Sequence, residues 1–402
     1  MAKKAYIGVD NVARKVKRGY VGVDNIARRI RKAYIGVGGV ARPCWSSGEV
    51  EVYGTFSYSP NVAVYELAAT TIGDYALFAG GRSEHDNPSS YVGGVVAYNK
   101  SLTQVSASSL SAARYALAAT TIGNYALFGG GSGGGGKTTV DAYDKSLTRT
   151  TPAILGEARA YLTATTVSGS YALFAGGVST SYSLTVDAYN TSLTRSTPTS
   201  LSKSRSNLAA TNVGGYALFA GGCSGGYSNV LNTIDAYDAS LTRTSPITLS
   251  SARTHLAATT VGDYALFAGG SSGDRLNNTD HGTSVVNAYN TSLTSVDAPY
   301  LSLTRYSFSA VTLDECAIFG PGCRCTFTNW YGTTTSYDTY DKYLTKNAKN
   351  ITSDARFSYA ASVIGNYAIF FGGCAFSYPS NADEVTNDRI ETILQTFTVL
   401  TN

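Results

Sequence analysis

Seven near-copies of one short phrase dominate this chain and leave it few folds to choose from. Tyr75-Ala76-Leu77-Phe78-Ala79-Gly80-Gly81 returns at Tyr125, Tyr171, Tyr216 and Tyr264, in degenerate form at Cys316 (Cys-Ala-Ile-Phe-Gly-Pro-Gly), and again at Tyr367. Spacings of 45 to 52 residues mark a repeat architecture, in which each unit buries its apolar surface against its neighbours. Two further signatures keep step with the first. Val96-Ala97-Tyr98-Asn99-Lys100-Ser101-Leu102-Thr103 recurs around Tyr143, Tyr189, Tyr237, Tyr289 and Tyr340, and an arginine precedes a run of small residues at Arg114, Arg159, Arg205, Arg253, Arg305 and Arg356. Short alternating apolar runs bounded by glycine read as strands. Each unit should supply four, expected in the second copy over 117–122, 125–129, 140–143 and 147–151.

Alternation puts Tyr75 and Leu77 on one face of a strand and Ala76 and Phe78 on the other. Apolar bulk on both faces suits a sheet sandwiched between two others, and the Ala-Ala-Thr-Thr runs suit a strand where sheets converge. The recurring arginines read as structural hydrogen-bond donors. The order of these signatures resembles the kelch family: the arginine, the apolar strand ending in Gly-Gly, and the Val-x-x-Tyr-Asp strand. The family's outer-strand Trp is replaced by Thr, Arg or Val. The resemblance covers roughly residues 46–402 and implies an all-β fold, a seven-bladed kelch-type β-propeller. A strand over 389–400 then leaves the last blade one short, and Glu49–Phe56 is expected to complete it as the outer strand, closing the ring.

Charge divides the chain in two. Residues 1–43 carry 11 Lys/Arg against Asp10 and Asp24, whereas the remainder is mildly acidic. The basic segment contains three copies at a period of 14, each an apolar run, an Asp-Asn or Gly-Gly pair and a basic run, which favours β-hairpins. It sets apart a tail, residues 1–45, from the propeller at 46–402. The tail resembles Tyr-Ile-Gly-Val-Gly-Gly-type repeats at the start of structural proteins of tailed phages infecting Gram-positive hosts. That resemblance implies attachment to other virion proteins, with Tyr6, Arg14, Tyr20, Arg28, Tyr34 and Arg42 as candidate contacts. Binding to nucleic acid or an anionic membrane is the alternative for so basic a segment.

The function expected of the body is binding. Repeat lengths vary almost only between Gly-Gly and the Ala-Tyr signature, so insertions gather in the loops joining the second and third strands, all on one face. Those loops hold Arg82, His85, Tyr91, Tyr227, Arg275, His281, Trp330, Tyr331 and Tyr378, aromatic and polar groups suited to a host-surface glycan or protein. Loops that pack on themselves would also use such residues. No enzyme constellation is present: the three histidines (His85, His255, His281) are too few for the copper site of galactose-oxidase relatives, His255 reads as an inner-strand residue, and sialidase boxes and phosphate loops are absent. The six cysteines show no metal spacing, so no metal or cofactor is expected. No run of eighteen apolar residues suggests membrane insertion, and no apolar stretch behind the first lysines suggests Sec export. The expected location is a phage particle, with a bacterial cytoplasmic scaffold for protein partners as the alternative and homo-oligomers compatible with either.

Overall fold

The two-faced apolar pattern of the repeated strand decides the packing. In a computed structural model, Leu77 and Ala79 of strand Tyr75–Ala79 pack on Ala126 and Phe128 of the next unit. Ala76 and Phe78 pack the other way, on Ile369 and Phe371 of the last unit, with the Phe78 and Phe371 rings 4.9 Å apart. The structure describes residues 64–373 except 84–89, 226–228, 246, 274–281, 325–331, 335 and 351–355, together with the backbone of strands at 6–9, 12–15, 19–23, 26–30, 32–37, 40–46, 50–58 and 392–399. Among these residues there are strands and turns but no helix.

The chain folds as an all-β β-propeller. Six four-stranded antiparallel blades are each built from strands taken in chain order, spanning 68–106, 118–150, 163–196, 209–244, 257–296 and 310–350, with a separate two-stranded hairpin between the second and third strands of the first and last. Six self-contained blades, not the expected seven, is the count, and the reason is a shortage of strands. The last copy of the repeat is not followed by another Ala-Tyr signature. Its hairpin, Ala360–Ile364 with Tyr367–Phe371, instead pairs with Thr392–Val399, which pairs in turn with Val50–Tyr58 from the other end of the chain. Innermost strands lie side by side around the axis, and Ala360–Ile364 adjoins Ala68–Ile72 where the circle meets.

Small departures from expectation have local causes. The outermost strand of the second blade is only Arg149–Thr150, because Leu147 takes a left-handed turn conformation (φ 62°). Asp144 holds that turn by accepting from the Ser146 and Thr148 amides at 2.8 and 3.0 Å. Gly-Gly is required by close approach: a Cβ on Gly130 would stand 2.7 Å from the Arg159 carbonyl oxygen, and one on Gly131 2.8 Å from that of Tyr115, both at positive φ. In the tail, Tyr6–Val9 pairs with Val12–Lys15, Gly19–Val23 with Ile26–Ile30, and Lys32–Val37 with Val40–Ser46.

Candidate functional site

The connections that place the site are those entering each innermost strand. The second residue after the repeat arginine stands just before that strand, and in every unit it is left-handed: Glu66, Ala116, Tyr161, Asn207, His255, Ser307 and Ser358 have φ between 51° and 55°. This conformation turns each backbone toward its neighbour. The Ala116 amide donates to the Glu66 carbonyl at 2.8 Å, Tyr161 to Ala116, Asn207 to Tyr161, His255 to Asn207, Ser307 to His255 and Ser358 to Ser307. The Glu66 amide donates to the Ser358 carbonyl at 2.9 Å and closes the circle. Seven backbone hydrogen bonds thus ring the axis.

Side chains of these seven residues line an axial cavity of about 410 Å³. They present a carboxylate, a methyl, a phenol, a carboxamide, an imidazole and two hydroxyls. Beneath them lies an apolar collar of Leu67, Leu117, Leu162, Leu208, Leu256, Phe308 and Tyr359. Deeper along the axis is a smaller space of about 260 Å³, walled by the collar and by alanines such as Ala118 and Ala257. Polar crown, apolar collar and alanine-lined channel therefore follow one another inward.

The variable loops begin beside this crown. The first residue after each Gly-Gly bridges the residue following the arginine position: Arg82 to Tyr65, Ser132 to Tyr115, Val178 to Ala160, Cys223 to Ser206, Ser271 to Thr254 and Cys323 to Tyr306. Arg82 alone among these loop openers is charged. Its guanidinium sits 4.7 Å from the ring centroids of both Tyr65 and Tyr115, and its Nε lies 2.9 Å from Glu66 Oε2. Burial by itself would lower its pKa, but Glu66 and the surrounding tyrosines outweigh that and raise it above the ordinary value. Tyr91 extends the stack, lying on Tyr115 at 5.4 Å and 42% exposed. Tyr161 meets Tyr115 edge-on at 6.3 Å.

Of the loop residues singled out in the sequence, Arg82 and Tyr91 are thus brought together. His85, Tyr227, Arg275, His281, Trp330, Tyr331 and Tyr378 lie outside the described residues. In the tail, Arg14, Arg28 and Arg42 stand in register with Ile7, Val21 and Ile35; the side chains of Tyr6, Tyr20, Tyr34 and these arginines lie outside the description. His255 is a correction: it precedes the strand Ala257–Val261 and belongs to the crown, because its left-handed backbone takes it out of the ladder. The signal was present in the repeats. The residue two after the arginine position and the one before it change from copy to copy, while the run that follows, Leu-Ala-Ala in four copies, is largely kept.

Ring, blades and axial cavity define the class: a β-propeller. No family model and no curated protein matches the chain. Solved structures do, in 640 chains, and a fold so widely reused does not specify an activity. One of them, described as "Structure of YjhT", has a TM-score of 0.52 and 11% identity over 72% of this chain and 98% of its own. At that identity the likeness is one of fold.

Proposed function

We propose that this protein is a kelch-type propeller, seven-bladed once the composite sheet is counted, that works as a binding protein without catalysis or cofactor. Its loop face recognises a host-surface glycan or protein, and the basic tail over 1–45 joins the propeller at 46–402 to other proteins of a phage particle. The observation that carries the binding reading is the crown: the seven repeats, alike in their strands, set six different residue types at the seven positions that line the axial cavity. A position kept only for closure could be filled by Gly or Asn, which tolerate the left-handed region at little cost. Glu66, Tyr161 and His255 take it instead. Pairing of Val50–Tyr58 with Thr392–Val399 supports the seven-blade count, and the hairpin registers of the tail support a repeated attachment unit.

Whole-cell and glycan-array binding by the full chain, beside residues 44–402, tests the first half. Saturable binding by both is expected, weakened by Tyr91→Ala; absence of binding to cells and to arrayed glycans sinks it. Peptide mass spectrometry of purified particles tests the second half, which fails if the protein is missing from them.

A further inference from the structure

The crown has a shape as well as a chemistry. It is encircled by a continuous backbone ring, so a ligand arriving from the loop face enters along the propeller axis and not from the side. A polymer lying in an open groove has two exits, whereas a pit surrounded on all sides admits an end. We propose that the crown takes the terminal unit of an oligosaccharide end-on: one neutral, polyhydroxylated ring among Glu66, Tyr161, Asn207, His255, Ser307 and Ser358. The remainder of the oligosaccharide leaves over Tyr115 and Tyr91. This deepens the glycan reading above and rests on it.

Three observations select this ligand. First, the crown mixes hydrogen-bond donors and acceptors at close quarters, matching a ring whose hydroxyls do both. The space below is smaller, about 260 Å³, and is lined chiefly by short side chains, so the crown is where a ring meets several side-chain hydrogen-bonding groups at once. The cavity of about 410 Å³ suits one or two sugar rings with water. Second, the principal charges offset each other. Glu66 and Arg82 are already an ion pair at 2.9 Å, and the tyrosine sandwich holds the arginine in place, so among the described residues this pair leaves no surplus charge for an ionic ligand. Third, the face is lopsided. The residues following the arginine position are aromatic on one arc (Tyr306, Phe357, Tyr65, Tyr115) and small on the other (Ala160, Ser206, Thr254). Sugar rings carry an apolar face that stacks on aromatic rings. The partly exposed stack of Tyr91 on Tyr115 therefore gives the second unit a platform on one side only.

The repeats supply substitutions that the backbone already tolerates. Ala116 shows that Tyr161→Ala fits this position, and Ser307 and Ser358 show the same for His255→Ser and Glu66→Ser. Tyr343, 77% exposed in a turn at the opposite end of the strands, provides the control Tyr343→Ala. The full chain and these variants are applied to a glycan array, with free glucose, galactose, rhamnose, N-acetylglucosamine and N-acetylgalactosamine as competitors. The expected result is a set of bound glycans sharing one terminal unit whatever their inner linkages, and competition by that free monosaccharide. Affinity should fall roughly tenfold or more in His255→Ser and Tyr161→Ala at an unchanged unfolding midpoint, with Tyr343→Ala unaffected. Competition is read on the unaltered protein, so it decides even if a variant misfolds. Binding that follows internal linkages, ignores every monosaccharide and survives the crown variants overturns end-on capture while leaving glycan recognition standing. Binding to peptides alone, or to no arrayed glycan, removes both.

Discussion

Fully buried arginines meet fully buried aspartates in four blades: Arg114 with Asp141 at 2.7 Å, Arg159 with Asp187 at 2.6 Å, Arg205 with Asp235 at 2.7 Å, and Arg305 with Asp338. Each clamp ties the connection entering a blade to that blade's third strand; Arg114 also donates to the Phe128 carbonyl, and Asp141 accepts from the Ser111 amide. Such pairs give little net stability over well-packed apolar residues, but losing one partner is costly. Other blades show both substitutions. In the first, Val64 and Val96 occupy the two positions, so both charges are gone together. In the fifth, Arg253 faces Asn287, whose Oδ1 accepts at 2.7 Å. A second change accompanies it: Arg149, Arg195, Arg243 and Lys346, which approach the aspartates from the surface, correspond to Ser295 there. One negative and one positive charge are lost together, which leaves Arg253 buried without a carboxylate and its pKa pushed down to about 10 by burial. Asn287→Asp should therefore stabilise the protein by about 1 kcal/mol, whereas Asp141→Asn, which strands Arg114 and Arg149, should cost about 3 kcal/mol. Guanidinium unfolding of both variants checks this. Small and equal shifts would mean that hydrogen bonding, not charge, holds the clamps.

At the scale of the element, the third strand of five blades is tied down by its tyrosine. The hydroxyls of Tyr143, Tyr189, Tyr237, Tyr289 and Tyr340 donate to the carbonyls of Ser108, Ala153, Thr199, Thr248 and Pro299 at 2.7 to 2.8 Å, in the connections leaving the preceding blade. Their rings meet a phenylalanine of the second strand edge-on, as with Phe128 and Tyr143 at 5.8 Å. Burial raises all five phenol pKa values, that of Tyr289 to about 12. A folded pKa above the unfolded value of about 10 gives stability that is complete below pH 10 and lost as pH rises through the folded pKa. Arg205, Arg253 and Arg305, lowered by burial, act in the opposite sense over that range, so the clean test is a difference. Tyr289→Phe should cost about 1 kcal/mol at pH 8, and the cost should shrink between pH 10 and 12 as the unaltered protein alone loses its phenol contribution. A gap that stays constant to pH 12 would contradict this. These strands were legible in the sequence because alternation and repetition report the same thing six times. The clamps were half legible: Arg114 and Asp141 each belong to a recurrent signature, but 27 residues separate them and spacing alone does not pair them. The crown was less legible still: its position recurs with the repeat, but its left-handed turn does not show in residue type, and His255 beside Leu256-Ala257-Ala258 looks like the start of a strand.

For the whole molecule the question is what keeps a ring of repeats from opening. A linear stack leaves an unpaired edge at each end, and the usual remedy is to cap it or to join the ends. Here the junction has two layers. Near the axis, Ala360–Ile364 lies beside Ala68–Ile72, and the Glu66 and Ser358 backbones complete the crown. At the rim, Val50–Tyr58 pairs with Thr392–Val399 from Val50 opposite Val399 to Tyr58 opposite Thr392, with one irregularity between Gln395 and Phe397. The inner layer rests on small residues, single hydrogen bonds and the packing of Phe78 on Phe371 behind them, while the outer one supplies a whole strand ladder drawn from opposite ends of the chain. The outer layer should therefore set cooperativity. Deleting residues 46–57 should lower stability by several kcal/mol and split the unfolding transition, as the last hairpin frays from an otherwise intact set of six blades. Because the Glu66–Ser358 contact lies at that junction, the same deletion should also loosen the crown and weaken ligand binding, although no crown residue is removed. Calorimetry and amide exchange on the shortened chain read both effects. A single transition at the original temperature, with full protection at Glu66 and Ala116, would mean that the inner layer alone closes the ring and that the N-terminal strand serves the tail rather than the propeller.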